Sequence, residues 1–188
     1  MWFDGTHGMA VGYGNDVLLR DAAAGMWKKE YSPSIETLLS VVGDGSGAFV
    51  TVGSRGSLYR WDPTKKVWDS LYQTQLSVLL TAAQLVNPAG TEAWAVGGNK
   101  LWHFSGGAWA SINIPSQYAY SEATSLGTVD GRVVVGVRTN KTGALLVYFP
   151  TMVALADGGM APAQWVWVPW RDRQIPRGFF GDGAQGYA

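Results

Sequence analysis

Short apolar segments alternate with polar, glycine-rich intervals along the chain. Within these segments, as at residues 58–61 (Leu-Tyr-Arg-Trp) and 67–71 (Val-Trp-Asp-Ser-Leu), apolar and polar side chains alternate with a period of two. Such alternation, bounded by Gly and Asn, predicts β-hairpins rather than helices. One further strand is predicted before each of three hairpins, at residues 36–42, 80–86 and 122–129.

The hairpins belong to a repeat of roughly forty residues. Two markers recur in step, a Val-Gly pair and a Trp. The glycines of the pairs are Gly12, Gly53, Gly97 and Gly136, and the tryptophans are Trp27, Trp68 and Trp109. The glycines are therefore spaced by 41, 44 and 39 positions and the tryptophans by 41 and 41. Two independent markers in register identify these segments as repeats of one structural unit.

Four short strands in a repeat of this length predict the blade of a β-propeller. The predicted fold is therefore all-β, a propeller of about four blades with four antiparallel strands each. The predicted blades span residues 1–31, 35–72, 79–113 and 121–170, with the start of a further or ring-closing blade at 178–188. An insertion interrupts the fourth repeat, whose last strand is predicted at 164–170. The chain begins and ends at nearly the same position within the repeat. We therefore expect the chain to be a segment of a larger propeller, or else a compact four-bladed ring.

The repeat Trp and Val side chains are predicted to pack between blades, because an isolated hairpin is only marginally stable. The glycine of each Val-Gly pair is expected to allow a bend or a close approach of two backbones.

Three sequence motifs resemble motifs of known protein families. Residues 4–12 (DGTHGMAVG) and 93–98 (AWAVGG) resemble a motif found in β-propellers of the photosystem II assembly factor type. Propellers of that type belong with the BNR (Asp-box-like) repeats. Residues 61–68 (WDPTKKVW) are similar to a kelch turn. A strict Asp-box is absent, since Asp21 lies six residues before Trp27, one too many. The resemblance implies a propeller that binds partner proteins, and it favours an extracytoplasmic or organelle-lumen location.

Composition excludes several classes. Hydrophobic residues make up 47% of the chain and charged residues 15%, which argues against disorder. The 14 basic and 14 acidic residues cancel, which disfavours general nucleic-acid binding. Cysteine is absent, so disulfides and thiolate chemistry are excluded. No apolar run approaches the length of a membrane-spanning helix, and the N-terminus is not expected to be a signal peptide.

Candidate catalytic chemistry is sparse. The two histidines, His7 and His103, fall at different phases of the repeat, in a predicted turn and a predicted strand. No Gly-x-Ser-x-Gly motif is present. Sialidases are propellers with an arginine triad, but no spacing among the arginines marks one. These arginines are Arg20, Arg55, Arg60, Arg132 and Arg138. We therefore predict a non-catalytic protein without cofactor or metal.

The insertion of the fourth repeat, residues 150–176, is the predicted partner-binding region. Insertions in repeats usually form loops, and Trp and Arg are favoured anchors of protein interfaces. The candidate residues are Trp165, Trp167, Trp170, Arg171, Arg173 and Arg177. A protein-binding or scaffolding module, as an assembly factor or a subunit of a larger complex, is the leading hypothesis. The alternatives are a carbohydrate-binding propeller, with exposed Trp stacking on sugars, and a sialidase-type hydrolase.

Overall fold

The structure is a computed structural model of the chain. It describes residues 1–21, 23–73, 76–118, 122–129, 131–138, 143–150, 153–154, 160–161, 164–169, 180–181 and 186–187. The chain packs as two compact units, residues 1–98 with 102–111 and residues 99–101 with 112–188. A single propeller domain over residues 1–188 therefore stays a prediction.

The first unit contains two complete four-stranded antiparallel sheets and most of a third. The first sheet is formed by β1 (Trp2–Phe3), β2 (Gly8–Val11), β3 (Val17–Asp21) and β4 (Met26–Glu30). The second is formed by β5 (Leu38–Gly43), β6 (Phe49–Gly53), β7 (Leu58–Asp62) and β8 (Val67–Tyr72). The third is formed by β9 (Ala82–Leu85), β10 (Glu92–Gly97), β11 (Lys100–Ser105) and β12 (Ala108–Asn113). Each is an up-and-down meander in which consecutive strands are neighbours, because short turns of two to a few residues can only join adjacent antiparallel strands.

The second unit contains the fourth sheet, in the order β13 (Glu122–Val129), β14 (Arg132–Arg138), β15 (Gly143–Phe149) and β18 (Gln164–Pro169). The strand predicted at 164–170 is therefore the fourth strand of this sheet. Two further hairpins pair β16 (Val153–Ala154) with β17 (Met160–Ala161), and β19 (Phe180–Gly181) with β20 (Gly186–Tyr187). Single 3₁₀ turns lie at Tyr13–Asn15 and Ser116–Tyr118. Within the described residues, no helix is long and apolar enough to span a membrane.

Strand β6 is buried on both faces, so the second sheet joins two hydrophobic cores. Phe49 of β6 packs with Met9 and Val17 of the first sheet. The next residue, Val50, points to the other side and packs in the core that contains Ala93 of the third sheet. Removing such side chains from water contributes about 1.5–3 kcal/mol each, so the two cores provide most of the stability of this unit.

The repeat tryptophans occupy the outermost strands, and two of them reach the preceding sheet. Trp68 Nε1 donates to the carbonyl of Tyr31 at 3.0 Å, and Trp109 Nε1 donates to the carbonyl of Gly56 at 2.9 Å. Trp27 differs, because it lies on the face of the first sheet that points away from the second. It is 39% exposed and contacts Phe3 of its own sheet.

The repeat glycines have different surroundings. A Cβ on Gly97 would collide with the backbone carbonyl of Leu79, so this position requires the close approach that glycine allows. At Gly53 a Cβ would meet the carboxylate of Glu36, whereas Gly12 faces open space. Gly136 is buried in β14, where it pairs with Ser125 and Leu145.

Candidate functional site

A cleft of about 390 Å³ opens between the first two sheets, at the end where β1 turns into β2 and β7 turns into β8. We call this cleft the basic groove. Its lining residues are His7, Leu19, Arg20, Lys28, Glu30, Ser46, Gly47, Phe49, Trp61, Pro63 and Lys66. All of them belong to the first compact unit.

The floor of the basic groove is aromatic and closely packed. Trp61 and Phe49 are each 1% exposed, and both belong to the first core. Trp61 packs edge-to-face on Trp68 with 5.5 Å between ring centroids. Edge-to-face packing of the two rings stabilises this floor.

The walls of the basic groove carry charged side chains of both signs. Lys28 comes from β4 of the first sheet, and Lys66 from the turn between β7 and β8 of the second. Arg20 is oriented by its own sheet, since Nη1 donates to the Thr6 carbonyl and the guanidinium lies 5.1 Å from the Phe3 ring centroid. Because Arg20 pairs with Trp27 across β3 and β4, its side chain lies on the outward face of the first sheet. The walls between the two sheets therefore hold two lysines and the carboxylate of Glu30.

Aspartate side chains order the loops around the basic groove. Asp4 Oδ1 accepts hydrogen bonds from the amides of Thr6 and His7 at 2.8 and 2.7 Å. Asp44 Oδ1 accepts hydrogen bonds from the Ser46 hydroxyl at 2.6 Å and from the Ser46 amide at 2.9 Å. Such Asx turns hold a loop in one conformation.

The same contacts lower the pKa values of these carboxyl groups. The pKa of Asp4 lies below its ordinary value chiefly because the Thr6 and His7 amides donate to the carboxylate. The pKa of Asp44 is lowered first by the Ser46 hydroxyl. Asp62, at the turn that resembles a kelch turn, has its pKa lowered first by the backbone amide of Lys65. A hydrogen bond to the charged form favours that form, so all three remain anionic at neutral pH.

The two histidines lie in different sheets and have separate partners. His7 Nδ1 lies 3.4 Å from Asp4 Oδ2 in the loop between β1 and β2. His103 in β11 stacks on Trp94 with 3.8 Å between ring centroids, and its Nε2 lies 3.1 Å from Glu92 Oε1. Among the described residues, no three His, Asp or Glu side chains come together as metal ligands.

Four of the five arginines considered for a sialidase triad make side-chain contacts within their own sheets: Arg20, Arg60, Arg132 and Arg138. Arg60 lies 3.9 Å from Asp44, and Arg138 forms an ion pair with Glu122. Arg132 lies over the ring of Phe149. These contacts give the four arginines structural partners.

Part of the predicted partner-binding region is described by β18. Trp165 and Trp167 share one face of this strand and are half-buried. Trp165 packs on Tyr148 at 4.8 Å, and Trp167 stacks on Tyr118 at 6.0 Å between ring centroids. Trp170, Arg171, Arg173 and Arg177 lie outside the described residues.

The opposite face of β18 is more open. Val166 and Val168 belong to the exposed large hydrophobic side chains. Because β18 is an outermost strand of its sheet, one of its backbone edges is unpaired within that sheet.

A second cleft, of about 610 Å³, lies at the other end of the second sheet. Glu36 in this cleft accepts hydrogen bonds from the Arg55 amide at 2.8 Å and the Ser57 hydroxyl at 3.0 Å. Its carboxylate therefore anchors the turn between β6 and β7. The other lining residues are Ser34, Ile35, Tyr59 and Gln73.

Comparison with solved structures identifies the fold. A structure of YCF48 from Cyanidioschyzon merolae superimposes with a TM-score of 0.63 at 14% sequence identity, over 88% of this chain and 56% of that one. A structure of YCF48 bound to a D1 peptide gives a TM-score of 0.58 at 19% identity, over 86% and 50%. The chain has the β-propeller fold. The resemblance to the photosystem II assembly factor type is thus confirmed at the level of fold.

The propeller spans about half the length of these two structures. No family model matches its sequence, and no curated protein matches it. Likeness to kelch and BNR repeats stays a prediction.

The basic groove was not found from the sequence. Its cations are separated along the chain, with Lys28 and Lys66 in consecutive repeats. One signal was available: Asp-Gly follows the first strand at residues 4–5 and again at 44–45, which marks equivalent ordered loops at this end of the sheets.

Proposed function

We propose that this chain is a non-catalytic β-propeller module that binds a protein partner, as an assembly factor or a subunit of a larger complex. The observation that carries the proposal is the basic groove, an open cleft with a closely packed floor and charged walls. Such a cleft binds by charge and shape and needs no reacting group.

Two further observations support protein binding. YCF48, which shares the fold, has been solved bound to a D1 peptide. In the groove itself, a lysine stands on each wall, and the aspartates of the surrounding loops accept hydrogen bonds that hold those loops in place. Preorganised groups lose little conformational entropy when a partner binds.

The insertion of the fourth repeat is proposed as a second contact for the partner. The candidates are Trp165, Trp167, Trp170, Arg171, Arg173 and Arg177. The exposed valine face of β18 favours this proposal, because Val166 and Val168 offer apolar area within the insertion itself.

A carbohydrate-binding propeller is the alternative. It is favoured by the exposed aromatic pair of the first sheet, Trp27 and Phe3, whose ring centroids lie 6.4 Å apart. No contact described above favours the sialidase-type hydrolase.

Site-specific photo-cross-linking tests the proposal. A benzophenone amino acid is placed at position 66 in the groove, at 171 in the insertion, or at 29 as a control. Lys29 lies beside Lys28 in β4 but on the other face of the sheet, and it is 73% exposed. We expect one protein to cross-link from position 66, from 171 or from both, but not from 29. Equal cross-linking from all three positions, or binding on a glycan array without any protein cross-link, would contradict the proposal.

A further inference from the structure

We infer that the outward face of the first sheet binds a second copy of this chain, in the way that one sheet of the repeat packs on the next. This face points away from the second sheet and carries Phe3, Leu18, Arg20 and Trp27. Leu18 and Arg20 lie on it because they alternate along β3 with Val17 and Leu19, whose side chains pack in the core shared with the second sheet.

The repeat shows what covers this face in the other sheets. Strand pairing places Leu18 and Arg20 at the positions that Tyr59 and Trp61 occupy in the second sheet. Tyr59 is 8% exposed because it packs in the core shared with the first sheet, whereas Leu18 is 39% exposed. The corresponding face of the third sheet, around Phe104, is covered by the second. The occupant that fits the outward face is therefore another propeller sheet.

Trp27 presents the same donor as the tryptophans that already reach a neighbouring sheet. Trp68 and Trp109 each donate the indole N–H to a backbone carbonyl of the preceding sheet. Trp27 has the equivalent position in β4 and packs over Gly8, where a Cβ would collide with the indole ring. Phe3 lies beside it and is 48% exposed. A large aromatic donor is thus held in place on an open sheet face, as at the anchor of an interface.

Arg20 favours a separate molecule over a sheet that covers this face permanently. At its position the second sheet has Trp61, which is buried in the core. The Arg20 guanidinium instead donates to the Thr6 carbonyl and lies over the ring of Phe3. A charged group keeps the face soluble while it is uncovered, and arginine is enriched at interfaces between proteins.

The length of the chain favours a second copy as that molecule. The chain matches about half of each YCF48 structure, so two copies together have about the length of one such propeller. Two outward faces are a poor fit for each other, because Arg20 and Lys29 of both copies would then be close together. The outward face of one copy therefore packs on a different sheet of the other, and the contact is made twice in a closed pair.

The small size of the face explains why the contact must be made twice. Its four strands have at most five residues each. At a strand spacing of about 4.8 Å and a rise of about 3.3 Å per residue, they cover roughly 300 Å². A stable interface buries about 800 Å² on each partner, so a single contact of this kind is too small. We expect the closed pair to dissociate in the micromolar range.

Sedimentation velocity of the whole chain tests this inference. Over about a hundredfold range of protein concentration, we expect the mass to rise from that of one chain to that of two and no further. At concentrations well below the dissociation constant the chain is a single copy, so unfolding measured there reports the stability of one chain.

Substitutions on the two faces of the first sheet provide the matched control. Leu18→Glu and Trp27→Glu are each expected to raise the dissociation constant of the pair by at least about tenfold, because each places a carboxylate in the contact. Met26→Glu changes an exposed apolar side chain beside Trp27 but on the other face of β4, so its effect is expected to stay within about twofold. Far-UV circular dichroism of each variant shows whether the sheets are intact.

Three results would overturn the inference. These are a wild-type chain that stays single at every concentration, a pair that is insensitive to both Leu18→Glu and Trp27→Glu, and growth beyond two chains. Lys29 lies opposite Leu18 on the same face, so a benzophenone at position 29 can reach the second copy. That product has the mass of two chains and is thereby distinguished from a cross-link to a different protein, so the proposed function is tested separately.

Discussion

At the scale of the residue, the repeat glycines show that one sequence signal can serve different physical purposes. Gly97 is needed because the backbone of Leu79 lies where its Cβ would be. Gly12 occupies the same position in the first repeat, but it has extended backbone angles and open space around it. A conserved position within a repeat therefore does not imply a uniform steric requirement.

Replacing Gly97 with Ala is expected to destabilise the protein by about 1–3 kcal/mol, because the added methyl group forces the Leu79 backbone to move. Gly12→Ala is the matched control and is expected to change stability by less than about 0.5 kcal/mol. Urea denaturation followed by far-UV circular dichroism measures both. Equal losses for the two variants would show that the close approach at Gly97 is not what selects glycine.

At the scale of the element, the outermost strands connect consecutive sheets through tryptophan. The indole N–H of Trp68 and of Trp109 each reaches a backbone carbonyl of the preceding sheet. No described acceptor binds the indole of Trp27, which lies on the outward face of the first sheet. The same residue type therefore acts as an inter-sheet donor in the second and third repeats only.

Trp68→Phe keeps an aromatic ring but removes the donor, and it is expected to cost about 0.5–1.5 kcal/mol for the lost hydrogen bond, besides lost packing on Trp61. Trp27→Phe is the control, with an expected change below about 0.5 kcal/mol. Thermal and urea unfolding curves of the two variants provide the comparison. A Trp27→Phe loss as large as that of Trp68→Phe would mean that the indole hydrogen bond is not important.

Strands were predicted well from the sequence because their signal is local. The strand predicted at 122–129 is β13, and those predicted at 36–42 and 80–86 overlap β5 (Leu38–Gly43) and β9 (Ala82–Leu85). Period-two alternation needs only neighbouring residues. The groove could not be predicted in this way, because Lys28 and Lys66 line one cleft only once the first two sheets have packed.

At the scale of the whole molecule, stability in a repeat fold comes from contacts between neighbouring repeats. In the first unit the second sheet takes part in both cores, through Phe49 on one face of β6 and Val50 on the other. A perturbation of one core should therefore reach the sheet on the far side of β6. If the two cores are coupled in this way, the stability of the floor of the basic groove depends on packing in the core shared with the third sheet.

Leu58→Ala tests this coupling. Leu58 is fully buried in the core shared with the third sheet, so its truncation is expected to cost about 2–5 kcal/mol. If the first unit opens cooperatively, hydrogen exchange followed by mass spectrometry should show faster exchange in β2 and β3, which do not touch the altered core, as well as in β9 and β10. Faster exchange confined to β9 and β10 would instead mean that the two cores open separately. The first two sheets would then hold the groove together without help from the third, because Trp61 and Phe49 belong to the core that remained closed.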